Sequence, residues 1–222
     1  EASNVEPYND NTVIEPLISK SLKLKGSKVK AVETNESLGY TEWTLKNGIK
    51  VVVRPSTLKA DEVIIYATAK GGKSMLNDAD YFHGDYLAMV MQQSGISKFS
   101  ATELAKQLSG KSAYASVGVG AYEHAVNAGG SPKDIETILQ LMYLNFTAPR
   151  FDETDLQNLK NMYVPYFRNM ESDPNYLMGK AFQETLYQNH VRRQVTSAAQ
   201  IESLNLETLA SVHKQLFSYA DD

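Results

Sequence analysis

An Asn-Gly pair between two strand-like segments constrains the fold of this chain most strongly. Residues 42–46 alternate between polar and apolar side chains, Asn47 and Gly48 follow, and residues 49–54 form a β-branched run that stops at Pro55. Asn-Gly between alternating segments is the strongest local signal for a β-hairpin, because both turn residues are expected at positive φ. The sequence therefore predicts two adjacent antiparallel strands around residue 47.

The order of the remaining patterns indicates an α+β fold. Further strands are predicted at residues 61–70 and, as two strands separated by small residues at 118–120, within residues 113–128. Helices are predicted at residues 81–94, 101–108, 133–145, 175–188 and 206–217, and the last of these has its N-cap at Ser197 or Asn205. A further helix is predicted from Asp152 towards Met170, with a possible break at Pro165. Strands followed by a run of helices favour a two-layer sandwich, with helices covering one face of a mostly antiparallel sheet.

Composition removes several classes of function. The chain has 222 residues, a formal net charge of −4 and no cysteine, which excludes disulfides, thiol catalysis and cysteine-based metal sites. A nucleic-acid-binding domain is normally basic, and no apolar run approaches the ~18 residues of a membrane span. The sequence begins at Glu1 without a signal-peptide pattern, and we expect it to be a piece of a longer protein.

The first 39 residues differ from the rest and are predicted to be a linker or hinge, with the folded domain at residues 40–222. A lysine run could bind anions, or it could belong to a solvated linker or an edge strand. The acidic chain and the absence of interleaved aromatic residues favour the second interpretation. The lysines of this run are Lys20, Lys23, Lys25, Lys28 and Lys30.

No motif in the sequence carries recognisable catalytic chemistry. The zinc-hydrolase patterns H-E-x-x-H and H-x-x-E-H are both absent. The four histidines, His83, His124, His190 and His213, are therefore interpreted as structural or surface residues. His124 and Glu123 are adjacent on a predicted strand and point to opposite faces, so they cannot share a metal.

Other candidate sites fail for similar reasons. A nucleophile elbow, a P-loop and a dinucleotide-binding glycine motif are all missing, and Gly118-Val119-Gly120 is interpreted as small residues within a sheet. Asp78, Asp80 and Asp85 do not have the spacing of a calcium loop. We accordingly assign no catalytic, cofactor-binding or metal-ligating residue.

Residues 40–222 resemble one domain of the insulinase/pitrilysin-type zinc metallopeptidases, the inverzincins, whose domains have a LuxS/metallohydrolase-like fold. The order of several short segments carries the resemblance. These residues are most similar to the first domain of the non-catalytic second half of large bacterial members. The segments are 44–51, 61–65 with Gly71-Gly72, Phe99-Ser100 with Gly110-Lys111, 134–141, 148–152, 171–174 and 201–217.

The resemblance locates the place where a zinc site would lie. In catalytic domains of this family H-x-x-E-H stands on the helix after the second strand, and Gly95 matches the glycine that ends this helix. Tyr86, Met89 and Val90 then occupy the positions of the ligands and the general base, and the third ligand would fall near residues 165–167. None of these side chains can bind Zn²⁺ usefully or activate its water.

The resemblance implies a non-catalytic domain of a zinc metalloendopeptidase that degrades peptides or unfolded chains. This chain alone is then expected to be inactive and free of zinc, with the metal in the catalytic half of the same polypeptide. It would form a wall of the substrate chamber, bind peptide by strand addition, and be periplasmic or otherwise exported. An inactive scaffold or protein-binding module of the same fold is the alternative. Self-association through an unpaired sheet edge would give a homo-oligomer.

Overall fold

A computed structural model of the chain describes residues 15–19 and 21–218. Within these residues the chain forms six strands and seven α-helices. The strands are β1 (Val29–Asn35), β2 (Tyr40–Leu45), β3 (Lys50–Val53), β4 (Val63–Lys70), β5 (Ala113–Val119) and β6 (Glu123–Gly130). The helices are α1 (Tyr81–Ser94), α2 (Ala101–Gln107), α3 (Ile135–Thr147), α4 (Glu153–Met170), α5 (Pro174–Leu186), α6 (Ala198–Ser203) and α7 (Leu206–Phe217).

The strands form two separate antiparallel sheets, in the orders β1-β2-β3 and β4-β6-β5. The predicted α+β class is confirmed, but the strands divide between two sheets. Helices α1 and α3 pack against the β4-β6-β5 sheet, and α7 packs on α1. The opposite face of this sheet leaves Ile64, Tyr66 and Tyr114 exposed.

One large apolar cluster joins the central strand β6 to the helices. Its members lose contact with water almost completely, which is the main source of stability for a domain of this size. They come from β6 and from α1, α4, α6 and α7, and include Leu87, Val90, Val126, Leu156, Leu159, Ile201, Leu209 and Val212.

The predicted hairpin is confirmed, with a different turn. Strands β2 and β3 pair as expected, and Leu45 N–H donates to Ile49 O at 2.8 Å. Only Gly48 has positive φ, at 90°, so the expectation of positive φ at Asn47 was wrong. The connection is three residues long, a length at which only the last residue needs the left-handed region. Asn47 instead accepts the Ile49 N–H on its side-chain oxygen, at 3.3 Å.

The helical half differs from expectation at two places. Helix α4 continues through Pro165. Proline has no N–H to donate to the carbonyl of Asn161, four residues earlier, but both residues are exposed, so water can hydrogen-bond this carbonyl. Ser197 and Asn205 both act as N-caps, because a short additional helix, α6, precedes α7. Ser197 and Gln200 form a capping box at the start of α6, while the Asn205 side chain accepts the Thr208 N–H at the start of α7.

Two parts of the predicted linker contact the rest of the molecule. Leu17 is 8% exposed and packs in a second apolar cluster, with Ile96, Phe99, Leu141 and Leu144. Glu15 N–H donates to the Gln107 side chain at 2.8 Å, and β1 pairs with β2. The domain boundary at residue 40 stays a prediction, and residues 1–14 and Lys20 lie outside the described residues. Of the lysine run, Lys30 lies in β1, which is an edge strand as one interpretation proposed.

Candidate functional site

Helix α1 carries the three residues at the expected zinc-binding positions. Val90 is fully buried in the main core, and Tyr86 and Met89 pack against the same core. Burial raises the pKa of Tyr86 above its usual value, and the Phe82 ring lies 5.0 Å from the Tyr86 ring. These positions therefore hold an apolar and aromatic surface without a metal ligand.

Helix α4 packs against α1 and brings the expected third position to the same region. Phe167 packs against the main core and stacks with Tyr163, with 6.4 Å between ring centroids. Aromatic rings therefore occupy this part of the contact between α1 and α4.

The buried histidines are held by packing and by hydrogen bonds. His213 donates from Nε2 to Asn145 O at 2.8 Å, and His124 accepts the Gly72 N–H on Nδ1 at 3.3 Å. His83 Nε2 lies 3.2 Å from the Asn205 amide nitrogen. Burial lowers the pKa of all three rings, which are therefore neutral at pH 7. The fourth, His190, is exposed and caps the 3-10 helix Val191–Arg193.

The acidic residues and glycines considered as candidates also have structural roles. Asp78 pairs with Arg192 at 2.6 Å, Asp85 pairs with Lys73, and Asp80 accepts a hydrogen bond from Asn77. Residues 118–119 end β5, and residue 120 lies in the turn before β6. Across residues 15–19 and 21–218, no three histidine or carboxylate side chains lie close enough together to hold a metal ion.

An open cleft lies at the N-terminal end of α1 and is not predicted by any motif. Its volume is about 440 Å³, and we call it the Tyr-Arg cleft. Three parts of the chain line it: the 3-10 helix Gly72–Met75 with Tyr81, the β5–β6 turn, and the segment after α5. The lining residues are Ser74, Tyr81, Ala121, Tyr122, Tyr187, His190, Arg192 and Arg193.

Main-chain hydrogen bonds fix one wall of the Tyr-Arg cleft. Lys73 N–H donates to Gly120 O and Ser74 N–H to Ala121 O, each at 2.9 Å. Gly72 makes this approach possible, since its φ is 55° and a Cβ there would lie 2.5 Å from Gly120 O. The 3-10 helix and the β5–β6 turn therefore form one backbone-supported unit.

Cations surround the tyrosine rings of the cleft. Lys73 Nζ lies 4.6 Å and the Arg192 guanidinium 5.0 Å from the centre of the Tyr81 ring. Arg192 is held by Asp78 and donates to Leu76 O at 2.9 Å. The Arg193 guanidinium stacks 5.2 Å from the Tyr187 ring. Such cation–π contacts keep both charges and aromatic faces at the surface in fixed positions.

This arrangement can bind a ligand, because arginine and tyrosine side chains donate hydrogen bonds to anionic and carbonyl oxygens. Two other polar groups of the lining already have partners within the chain: Ser74 Oγ donates to Gly71 O at 2.6 Å, and His190 Nδ1 accepts the Arg192 N–H at 3.2 Å. The sequence analysis interpreted His190 only as a structural or surface residue. The usable signal was the local Arg192-Arg193 pair, five residues after Tyr187, but the partners Tyr81 and Tyr122 are far away in sequence.

The relatives and solved structures that the chain resembles include proteases and a peptidase domain. The chain is 23% identical over 192 residues to an Arabidopsis thaliana protein named zinc protease PQQL-like, covering 85% of this chain and 17% of that protein. The Escherichia coli periplasmic protease PqqL matches with a TM-score of 0.79 at 18% identity, over 100% of this chain and 24% of that one. An inactive peptidase M16 domain from Pseudomonas fluorescens matches with a TM-score of 0.61 at 18% identity. The match covers 79% of this chain and 43% of that one.

The likenesses confirm the resemblance to the insulinase/pitrilysin type, and the fold is that of its domains. No family model matches the chain. The chain spans about a sixth of the length of the curated relative and about a quarter of the length of PqqL. Among the described helices, none is both long and apolar enough to cross a membrane.

Proposed function

We propose that this chain is a non-catalytic domain of an insulinase/pitrilysin-type zinc metalloendopeptidase, forming part of the chamber that holds a peptide or unfolded chain. The catalytic half of the same polypeptide would supply the zinc and the general base. The name of the Pseudomonas neighbour, an inactive peptidase domain, supports the existence of such domains in proteins of this fold.

One observation carries the proposal. The resemblance assigns the zinc-site positions to α1 and α4, which pack against each other, and the side chains at the assigned positions include Tyr86, Met89, Val90 and Phe167. A catalytic zinc needs three protein ligands and an open position for water. A core of apolar and aromatic side chains supplies neither, so hydrolysis by this domain is not expected.

The experiment is a zinc determination on the purified chain, after dialysis against trace zinc. We expect well below one zinc per chain and no cleavage of a casein-derived peptide. The matched control is the domain of the parent protein that carries H-x-x-E-H, prepared in the same way, which should retain about one zinc. One tightly held zinc in this chain would contradict the proposal.

The intact parent protein provides the second test. Its peptide cleavage should be abolished by a chelator and restored by zinc, because the proposed catalytic half holds the metal. A parent without an H-x-x-E-H domain, or with cleavage insensitive to chelation, would favour the alternative of an inactive scaffold or protein-binding module.

We further propose an exported, periplasmic location for the parent. The support is the name of the PqqL neighbour, a periplasmic protease. Fractionation of cells that express the parent should place it with periplasmic markers, and a cytosolic location would contradict this part of the proposal.

A further inference from the structure

We propose that the Tyr-Arg cleft binds a carboxylate of a peptide, with an aromatic side chain of the same peptide against its tyrosine rings. The proposal rests on the proposed function for the identity of the ligand, an extended peptide. It adds a binding site with its own chemistry, lined by none of the residues Tyr86, Met89, Val90 and Phe167.

The positive charge at the Tyr-Arg cleft favours binding of an anionic group. Arg192 and Lys73 are already neutralised by Asp78 and Asp85. Among the described residues, Arg193 has no carboxylate partner, and its guanidinium contacts only the Tyr187 ring. An arginine fork held against an aromatic ring is well suited to bind a carboxylate through two parallel hydrogen bonds.

The aromatic walls select the neighbouring side chain. Tyr122 is 77% exposed at the tip of the β5–β6 turn, and Tyr187 faces the cleft from the other side. Aromatic rings gain additional energy from offset or edge-to-face contacts with another ring, and their hydroxyl groups remain free to meet peptide oxygens. A carboxylate next to an aromatic residue thus matches both features at once.

The site is built before a ligand arrives. Arg192 is fixed at Nε by Asp78 and at its terminal nitrogen by Leu76 O, and it positions the Tyr81 ring from one side. The backbone bonds from Lys73 and Ser74 fix the opposite wall. A preformed site loses less entropy on binding than a mobile surface. The volume of about 440 Å³ is enough for one or two side chains of a peptide.

The experiment uses the chain and four dye-labelled hexapeptides in fluorescence polarisation. One capped peptide has an internal Glu beside a Tyr, and its control has Gln in place of Glu. A second pair has no acidic side chain and ends in Phe, either as a free carboxylate or as an amide. The two pairs distinguish a side-chain carboxylate from a C-terminal one.

We expect one carboxylate peptide of a pair to bind at least about tenfold more tightly than its neutral control, a ratio typical of a hydrogen bond to a charged group. Arg193→Gln should weaken that binding about tenfold, and Arg193→Lys should restore part of it because the charge remains without the planar fork. Binding should also weaken as salt is raised.

Arg168→Gln is the matched control, since it removes the same charge from an exposed arginine that pairs with Glu202 away from the cleft. Its affinity should stay within about twofold of the wild type. Equal binding of charged and neutral peptides, no binding of any probe, or an equal loss in both arginine variants would overturn the proposal.

These outcomes separate the two proposals. Selective binding that depends on Arg193, together with a parent that does not depend on zinc, would retain the cleft and reject the peptidase. A zinc-dependent parent whose non-catalytic domain binds none of the probes would reject the cleft alone.

Discussion

Each of the three buried histidines in the described chain contacts the last helix or its N-cap. His213 lies in α7, the His124 ring packs edge-on to Phe217 at 5.2 Å, and His83 contacts Asn205, the residue that caps α7. Burial opposes protonation of all three rings; the Asp80 carboxylate partly offsets this at His83, while His124 and His213 would be charged in the core without a neighbouring carboxylate. The attachment of α7 is therefore sensitive to acid.

The lowered histidine pKa values predict the direction of the pH dependence. In the unfolded chain these rings bind protons below about pH 6.5, while burial keeps them neutral in the folded chain. Stability should be constant above about pH 6.5 and fall as the pH is lowered below it. Urea unfolding at several pH values checks this expectation.

His213→Gln should reduce this acid sensitivity, since it removes one titrating ring and keeps a donor for Asn145 O. His190→Gln is the control, because it removes a histidine that is exposed at the surface. The interpretation would be wrong if both variants, or neither, altered the dependence on pH.

Leu17 is predicted to anchor the segment before β1. Leu17→Ala should lower the free energy of unfolding by about 2 kcal/mol, since it deletes buried methyl groups next to Phe99 and Leu144. Leu24→Ala, at an exposed position of the same segment, should change it by less than about 0.5 kcal/mol. Equal effects in chemical denaturation would show that Leu17 does not anchor the segment.

At the scale of elements, α5 and α7 differ in how they hold to the molecule. Helix α7 buries Leu209, Val212 and Leu216 in the main core, whereas no residue of α5 is buried. Asp173 is the N-cap of α5, and its side chain accepts hydrogen bonds from the N–H groups of Asn175 and Tyr176. Its stability therefore depends more on local capping than on packing.

Substitutions in these helices should reflect that difference. Phe182→Gln in α5, at a side chain that is 66% exposed, should change the free energy of unfolding by less than about 0.5 kcal/mol. Leu209→Ala in α7 should cost about 2–5 kcal/mol, because it leaves a cavity in the core. Denaturant titrations of both variants measure the contrast, and a large effect of Phe182→Gln would indicate that α5 is covered in solution.

Local chemistry explains which elements the sequence predicts well. Helix α1 has the predicted bounds, and α2 begins where it was predicted, at a capping box of Ser100 and Glu103 that involves only neighbouring residues. The division into two sheets, the burial of Leu17 and the Tyr-Arg cleft depend on contacts between residues far apart in sequence. No periodicity or cap encodes such contacts, so sequence reasoning did not find them.

For the whole molecule, the two sheets are expected to differ in stability. No residue of β1, β2 or β3 is buried, while the other sheet carries the main core. Trp43 is the only tryptophan of the chain and lies in β2, with 39% of its surface exposed. Its fluorescence therefore reports on the first sheet alone.

Urea unfolding followed by Trp43 fluorescence should show a lower midpoint than unfolding followed by far-UV circular dichroism, to which the helices contribute most. Coincident midpoints are the usual test for a single two-state transition. If the two curves coincide, the first sheet unfolds together with the helical core and the expectation is wrong.

The backbone support of the Tyr-Arg cleft has a consequence for evolution. Its wall is held by main-chain groups of residues 71–74 and 120–122, so Ala121 and Tyr122 can change identity without loss of those bonds. Gly72 cannot change as freely, because its backbone conformation and close neighbours exclude a side chain. Related proteins can therefore diverge in what this surface recognises while the scaffold that shapes it is inherited unchanged.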